Sequence, residues 1–93
     1  MQKSDIFKLS DDWNLHKEDL KDKKYYLFNI KDGDVVKLNE VSFEILRVID
    51  GIKTLQDIHN IIFCEFSVNR DVLWKDVFSL IKRCIHENVI IKL

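Results

Sequence analysis

The chain has 93 residues, 46% hydrophobic and 33% charged, with 15 Lys and Arg against 16 Asp and Glu. That length holds one domain, and the composition fits a folded chain rather than a disordered one. A net charge of −1 excludes a global basic field that draws in nucleic acid.

No apolar run reaches the roughly 18 residues that a membrane helix needs. The opening MQKSDIFKLSDDW has no apolar secretion segment, so the cytoplasm is the expected location. Residues 1–12 are polar and expected to fray, and the whole of 1–93 is expected to be a single unit. In 13–17, Trp13 and Leu15 alternate with Asn14 and His16, the period of a half-buried strand. Residues 18–24 read as a loop or hairpin tip. The segment 25–30, YYLFNI, is rich in strand formers. Asp32-Gly33 signals a hairpin, and 34–38 is the returning strand. Two registers are open. A two-residue turn pairs Ile30 with Val35, whereas a three-residue bulged loop pairs Ile30 with Val36 and Phe28 with Leu38. The second is favoured because it puts Tyr26, Phe28 and Ile30 on one side with Val36 and Leu38.

After Leu38 the hydrophobic period lengthens to that of a helix. Asn39 can accept a free N–H of the next turn, and Val41, Ile45, Val48 and Ile49 form a stripe that ends at Asp50-Gly51. Thr54 and Asp57 have capping-box spacing, and Leu55, Ile58, Ile61 and Ile62 form a second stripe. Asn69 caps a third helix running to about Glu87, with Asn88 able to take the left-handed exit. Residues 89–93 read as a short strand or tail packing back on the body. The expected fold is therefore α+β of winged helix-turn-helix type: a three-stranded antiparallel sheet followed by three helices.

The third helix carries an unusually wide apolar arc of about 160°, where about 100° faces a core. Leu73, Val77, Leu80 and Cys84 suffice to pack on the first two helices. Trp74, Phe78, Ile81 and Ile85 form the other half, with Lys75 and Lys82 beside it. Interior packing is the common fate of such a stripe, and Ile81 is the member that fits it best. Trp74 and Phe78 lie toward the far edge, where a thin domain covers large rings poorly. The strand 34–38 has no evident partner on its outer side, and an unpaired strand edge is a template for an extended peptide. The expected peptide-binding cleft accordingly uses the main chain of Asp34, Val35, Val36, Lys37 and Leu38, apolar contact from Trp74, Phe78, Ile81 and Ile85, and Lys75, Lys82 and Lys37 to favour an acidic peptide.

At this point the residues resemble a known family. Leu38-Asn39 at the strand-to-helix junction, Ile45, Leu46 and Asp50-Gly51 at the first helix end, Thr54, Leu55 and Ile58 opening the second helix, and Val77, Leu80, Ile81 and Cys84 in the third are similar to the PqqD-like proteins, the RiPP recognition elements. The likeness spans about 25–91, and Asn88 stands where family members often carry Gly. The resemblance implies a free-standing, non-catalytic subunit. Such a subunit binds the leader of a ribosomally made precursor peptide as an added strand beside the third strand, touching the third helix. It delivers that precursor to a tailoring enzyme: a radical SAM protein, a cyclodehydratase or a lasso-type protease. No cofactor is implied.

Three other readings compete. A winged-helix DNA-binding transcriptional regulator needs a basic recognition face, yet the third helix mixes Asp76, Arg83, His86 and Glu87 with its lysines. An enzyme or metal site needs converging ligands, and His16, His59 and His86 fall in separate elements, without zinc spacing to Cys64 or Cys84. Both cysteines sit among apolar residues and are expected to be reduced core residues. A homodimer through the same open strand edge is the third.

Overall fold

A computed structural model describes residues 1–19 and 21–93. Five strands and three helices follow in the order β1 (Phe7–Leu9), β2 (Trp13–Asp19), β3 (Lys23–Asn29), β4 (Val35–Leu38), α1 (Glu40–Val48), α2 (Leu55–Glu65), α3 (Arg70–His86) and β5 (Ile90–Lys92). The expected three-stranded antiparallel sheet is present in the order β2-β3-β4 and is followed by the three helices. The hairpin tip expected at 18–24 includes Leu20, which lies outside the described residues.

The helix boundaries follow from local chemistry. Ser42 N–H donates to the Asn39 side chain at 2.8 Å, satisfying one of the orphan donors of the first turn. Thr54 and Asp57 form the reciprocal capping box. Asn69 accepts from Asp71 and Val72. At the far end of α3, Asn88 takes φ 60°, and Val89 N–H returns to the Cys84 carbonyl at 2.8 Å. That left-handed residue turns the chain sharply so that Val89 and Ile90 re-enter the core.

Two expectations change here. Residues 7–9 are not frayed: they form β1, which pairs antiparallel with β5, and Phe7 is buried. The preceding residues are tied down as well, since Leu55 and Gln56 at the start of α2 donate to the carbonyls of Asp5 and Lys3. Orphan N–H groups of α2 thus find acceptors in the N-terminal segment.

The β3–β4 register is neither of the two considered. Phe28 pairs with Val35, Leu27 with Val36 and Tyr25 with Leu38. The strand ends at Asn29, not Ile30, because the Asn29 side-chain carbonyl accepts from Lys31 N–H at 2.8 Å and Asp32 N–H at 3.2 Å. An Asn that bonds to the following backbone mimics a turn. Gly33, at φ 79°, completes a four-residue loop. The shift reverses the faces: Tyr25, Leu27, Val36 and Leu38 face the helices with Trp13 and Leu15, while Tyr26, Phe28 and Val35 face outward.

Asp50, after α1, accepts from the Lys53 side chain and from the backbone N–H groups of Lys53 and Ile52. The Lys53 contacts, first that of its ammonium, hold the Asp50 pKa down to about 2. A carboxylate depressed in the folded state contributes stability that is complete above the ordinary carboxylate range and is lost as pH falls toward the folded value. Asp50→Asn is therefore expected to flatten the acid limb of Tm against pH between about 4 and 2 by lowering Tm modestly at pH 7 and leaving it nearly unchanged near pH 2; an unchanged acid limb counts against this contribution.

Of the two free cysteines, Cys84 is buried, but Cys64 is exposed, which corrects the expectation that both lie in the core. Burial raises the Cys84 thiol to about 11, with Arg83 opposing the shift. Because the thiolate is the reactive form, iodoacetamide at pH 8 is expected to modify Cys64 in the native chain and Cys84 only after denaturation. Equal labelling rates would show that α3 opens readily.

Candidate functional site

β4 is an edge of the sheet: among the described residues it pairs with β3 and nothing pairs with its other side. Asn29 N–H donates to Asp34 C=O at 2.8 Å. Bonded pairs recur every second residue in an antiparallel ladder, which makes Leu27–Val36 and Tyr25–Leu38 the bonded pairs. The main-chain N–H and C=O groups of Val35 and Lys37 consequently point away from β3, toward the open side. The other edge, β2, ends in exposed Lys17, Glu18 and Asp19, charges of the kind that guard a strand against pairing. β4 has no such run and has a helix-lined depression beside it.

Two depressions border β4. One, about 310 Å³, lies between the start of α1 and α3, lined by Asn39, Val41, Ser42, Ile45, Asp76, Ser79, Leu80 and Arg83. The other, about 700 Å³, joins the start of β4 to the end of α3, with Asp12, Asp32, Asp34, Val35 and Val36 across from Glu87 and Asn88. α3 therefore runs antiparallel to β4, with Asp76 and Leu80 near Asn39 and Glu87 near Val35. The floor is apolar, since Val36 in the larger depression and Val41 and Leu80 in the smaller are half-buried against the core. The rim is polar, and there Arg83 pairs with Glu87 at 3.8 Å.

Of the strand residues of the expected cleft, Asp34, Val35 and Val36 line the larger depression, while Lys37 and Leu38 line neither. None of the expected α3 residues lines either one. Ile81 is 0% exposed and belongs to the core, closed to a partner in this conformation. Trp74 and Phe78 are half-buried on the opposite flank of the helix: the Trp74 ring stacks on His59 of α2 at 4.0 Å, with an interplanar angle of 6°, and on Phe78 at 5.2 Å. The Lys3 ammonium sits 4.6 Å from the Trp74 centroid. Lys75, Lys82 and Ile85 are exposed, and none of them lines either depression beside β4. The α3 residues that do face β4 are Asp76, Leu80, Arg83 and Glu87. Their place on one side of the helical wheel was readable; that this side, and not the Trp74 side, meets the sheet was not.

His59 is fully buried. Its Nε2–H donates to the Arg70 carbonyl at 3.2 Å, and its Nδ1 has no partner among the described residues. It joins α2 to α3 through the Trp74 stack. Among the described residues no group of His, Cys, Asp and Glu could hold a metal ion, and no helix is long and apolar enough to cross a membrane.

The family model described as coenzyme PQQ synthesis protein D (PqqD) matches residues 24–90, well over half of the chain. The chain belongs to the PqqD family. The matched region starts within β3 and ends at the first residue of β5, so it contains β4 and the α1 and α3 walls beside it, while Asp12 on the larger depression lies before it. The fold of this PqqD-family chain is also similar to that of TbiB1, solved in complex with the TbiA(beta) leader peptide, with a TM-score of 0.68 and 20% identity over 89% of this chain and 93% of that one. No curated protein matches the sequence.

Proposed function

We propose that the chain is a non-catalytic recognition subunit that binds the leader of a ribosomally synthesised precursor peptide by adding it as a strand to β4, and presents the precursor to a separate tailoring enzyme in the cytoplasm. The single observation that carries this is the unpaired edge of β4, with the N–H and C=O of Val35 and Lys37 directed outward, beside depressions floored by Val36, Val41 and Leu80. Main-chain bonds along an edge supply affinity and pockets for alternate side chains supply selectivity. Membership of the PqqD family and the likeness to a chain solved with a leader peptide support the same reading. The DNA-binding alternative has less behind it: Arg70, Lys75, Lys82, Arg83 and His86 on α3 are interspersed with Asp71, Asp76 and the following Glu87, a nearly balanced surface.

The test is titration of the isotope-labelled chain with synthetic leader segments of short precursor peptides, followed by amide hydrogen exchange. Binding is expected to slow exchange at Val35 and Lys37 together. Binding that leaves both amides unprotected overturns strand addition at β4.

A further inference from the structure

The outer face of the β2-β3-β4 sheet, opposite the helices, carries a second feature. Phe28 and Val35 sit directly across from each other as a non-bonded pair, the closely spaced kind, yet are 38% and 58% exposed. With Asn14, His16, Glu18 and Tyr26 they border a depression of about 590 Å³. One pair further along, Tyr26 lies opposite Lys37, which makes no ion pair among the described residues. An apolar shelf and an unpaired ammonium thus stand on the same face, two residues apart on the strand whose edge is open.

The pleat decides how an added strand meets them. Residues directly opposite each other in an antiparallel ladder share a face. A peptide that exchanges hydrogen bonds with Val35 and Lys37 places the two side chains opposite them on this outer face. The residue between, opposite Val36, points the other way, into the groove over Val36 and Leu80. Both existing strand pairs in this sheet are antiparallel, so the added strand continues that pattern.

Building on strand addition at β4, we propose that the leader is read on both faces of the sheet. In N-to-C order it presents an acidic residue opposite Lys37, an apolar residue filling the groove, and an apolar or aromatic residue opposite Val35 that covers the Phe28–Val35 shelf. The acidic preference arises from Lys37, since Arg83 on the rim is already paired with Glu87. Lys75 and Lys82 are not on the groove, and the groove rim itself carries Asp34, Asp76 and Glu87.

The experiment is selection of a displayed library of random dodecapeptides on the full chain, run in parallel on Lys37→Glu, Phe28→Ser, Leu80→Asp and Val35→Pro, each checked for folding by circular dichroism. The unsubstituted chain is expected to enrich an acidic residue two positions before an apolar one. Lys37→Glu should convert that single position to Lys or Arg and leave the following groove residue unchanged. Peptides from the first selection should bind Lys37→Glu roughly fivefold more weakly at low salt, and Phe28→Ser should relax only the last position. If the enriched peptides lose binding on Leu80→Asp but show no charge conversion on Lys37→Glu, the outer face is not read, while strand addition stands. If they are indifferent to Leu80→Asp and to Val35→Pro, strand addition itself falls, and an unsubstituted chain that enriches nothing counts against both.

Discussion

Val35→Pro is expected to weaken leader binding roughly 30- to 100-fold while leaving the fold nearly as stable as before. The Val35 N–H faces the open side of β4, because Val35 and Phe28 form a non-bonded pair. Proline at that position removes no bond of the free sheet, and proline on an edge strand with its missing donor toward solvent is the tolerated case. The bound state differs. The leader carbonyl that would accept from Val35 is left buried without a donor, at a cost of about 1–3 kcal/mol, and the ring occupies space where the incoming strand must approach. Together about 2–3 kcal/mol corresponds to the stated loss. Val36→Pro is the control with the opposite balance: the Val36 N–H belongs to the bonded pair with Leu27, so that variant should lose stability first. The measurement is fluorescence anisotropy of a labelled leader segment together with thermal melts. Unaltered affinity in a folded Val35→Pro chain would place the peptide elsewhere.

Local signals made most of the fold legible in the sequence. Asn39, the Thr54–Asp57 pair, Asn69 and Asn88 each act within one turn of the chain, and each stands where its capping or left-handed chemistry requires. The β1–β5 pair was not legible. Each strand is three residues long, too short for a period, and the two lie at opposite ends of the chain. The β3–β4 register was lost for a related reason. The Asp32-Gly33 dipeptide marks a turn, but the turn is sized by the Asn29 side chain three residues earlier. One consequence reached the site, because the register decides whether Phe28 or Leu27 looks toward the helices. A helical wheel orders residues around α3 but names no neighbour for each side. Sequence separated the Trp74 flank from the Leu80 flank correctly and then matched the wrong flank to the sheet. The missing information was tertiary: His59 in α2 supplies a flat partner for Trp74, and a buried imidazole is not the partner that an apolar stripe leads one to expect.

That assignment of flanks has a sharp consequence. Trp74→Ala should lower stability by about 2–4 kcal/mol, which for a chain of this size is a fall in Tm of roughly 10–20 °C. Leader affinity of the folded fraction should stay within about twofold. The indole is half-buried, stacks on both His59 and Phe78 and carries the Lys3 ammonium over its face. Its removal therefore separates α2 from α3 and loosens the N-terminal segment, while Leu80, Val41 and Val36 on the other flank keep their places. Trp74→Phe retains a ring to stack against His59 and should recover much of the loss. Leu80→Asp should show the reverse pattern, with affinity falling further than stability, because Leu80 borders the groove beside Val41 and Asp76. Chemical denaturation paired with anisotropy titration of each variant separates the two effects. If Trp74→Ala melts like the parent chain and fails to bind, the peptide lies along α2 and the groove beside β4 is not its site.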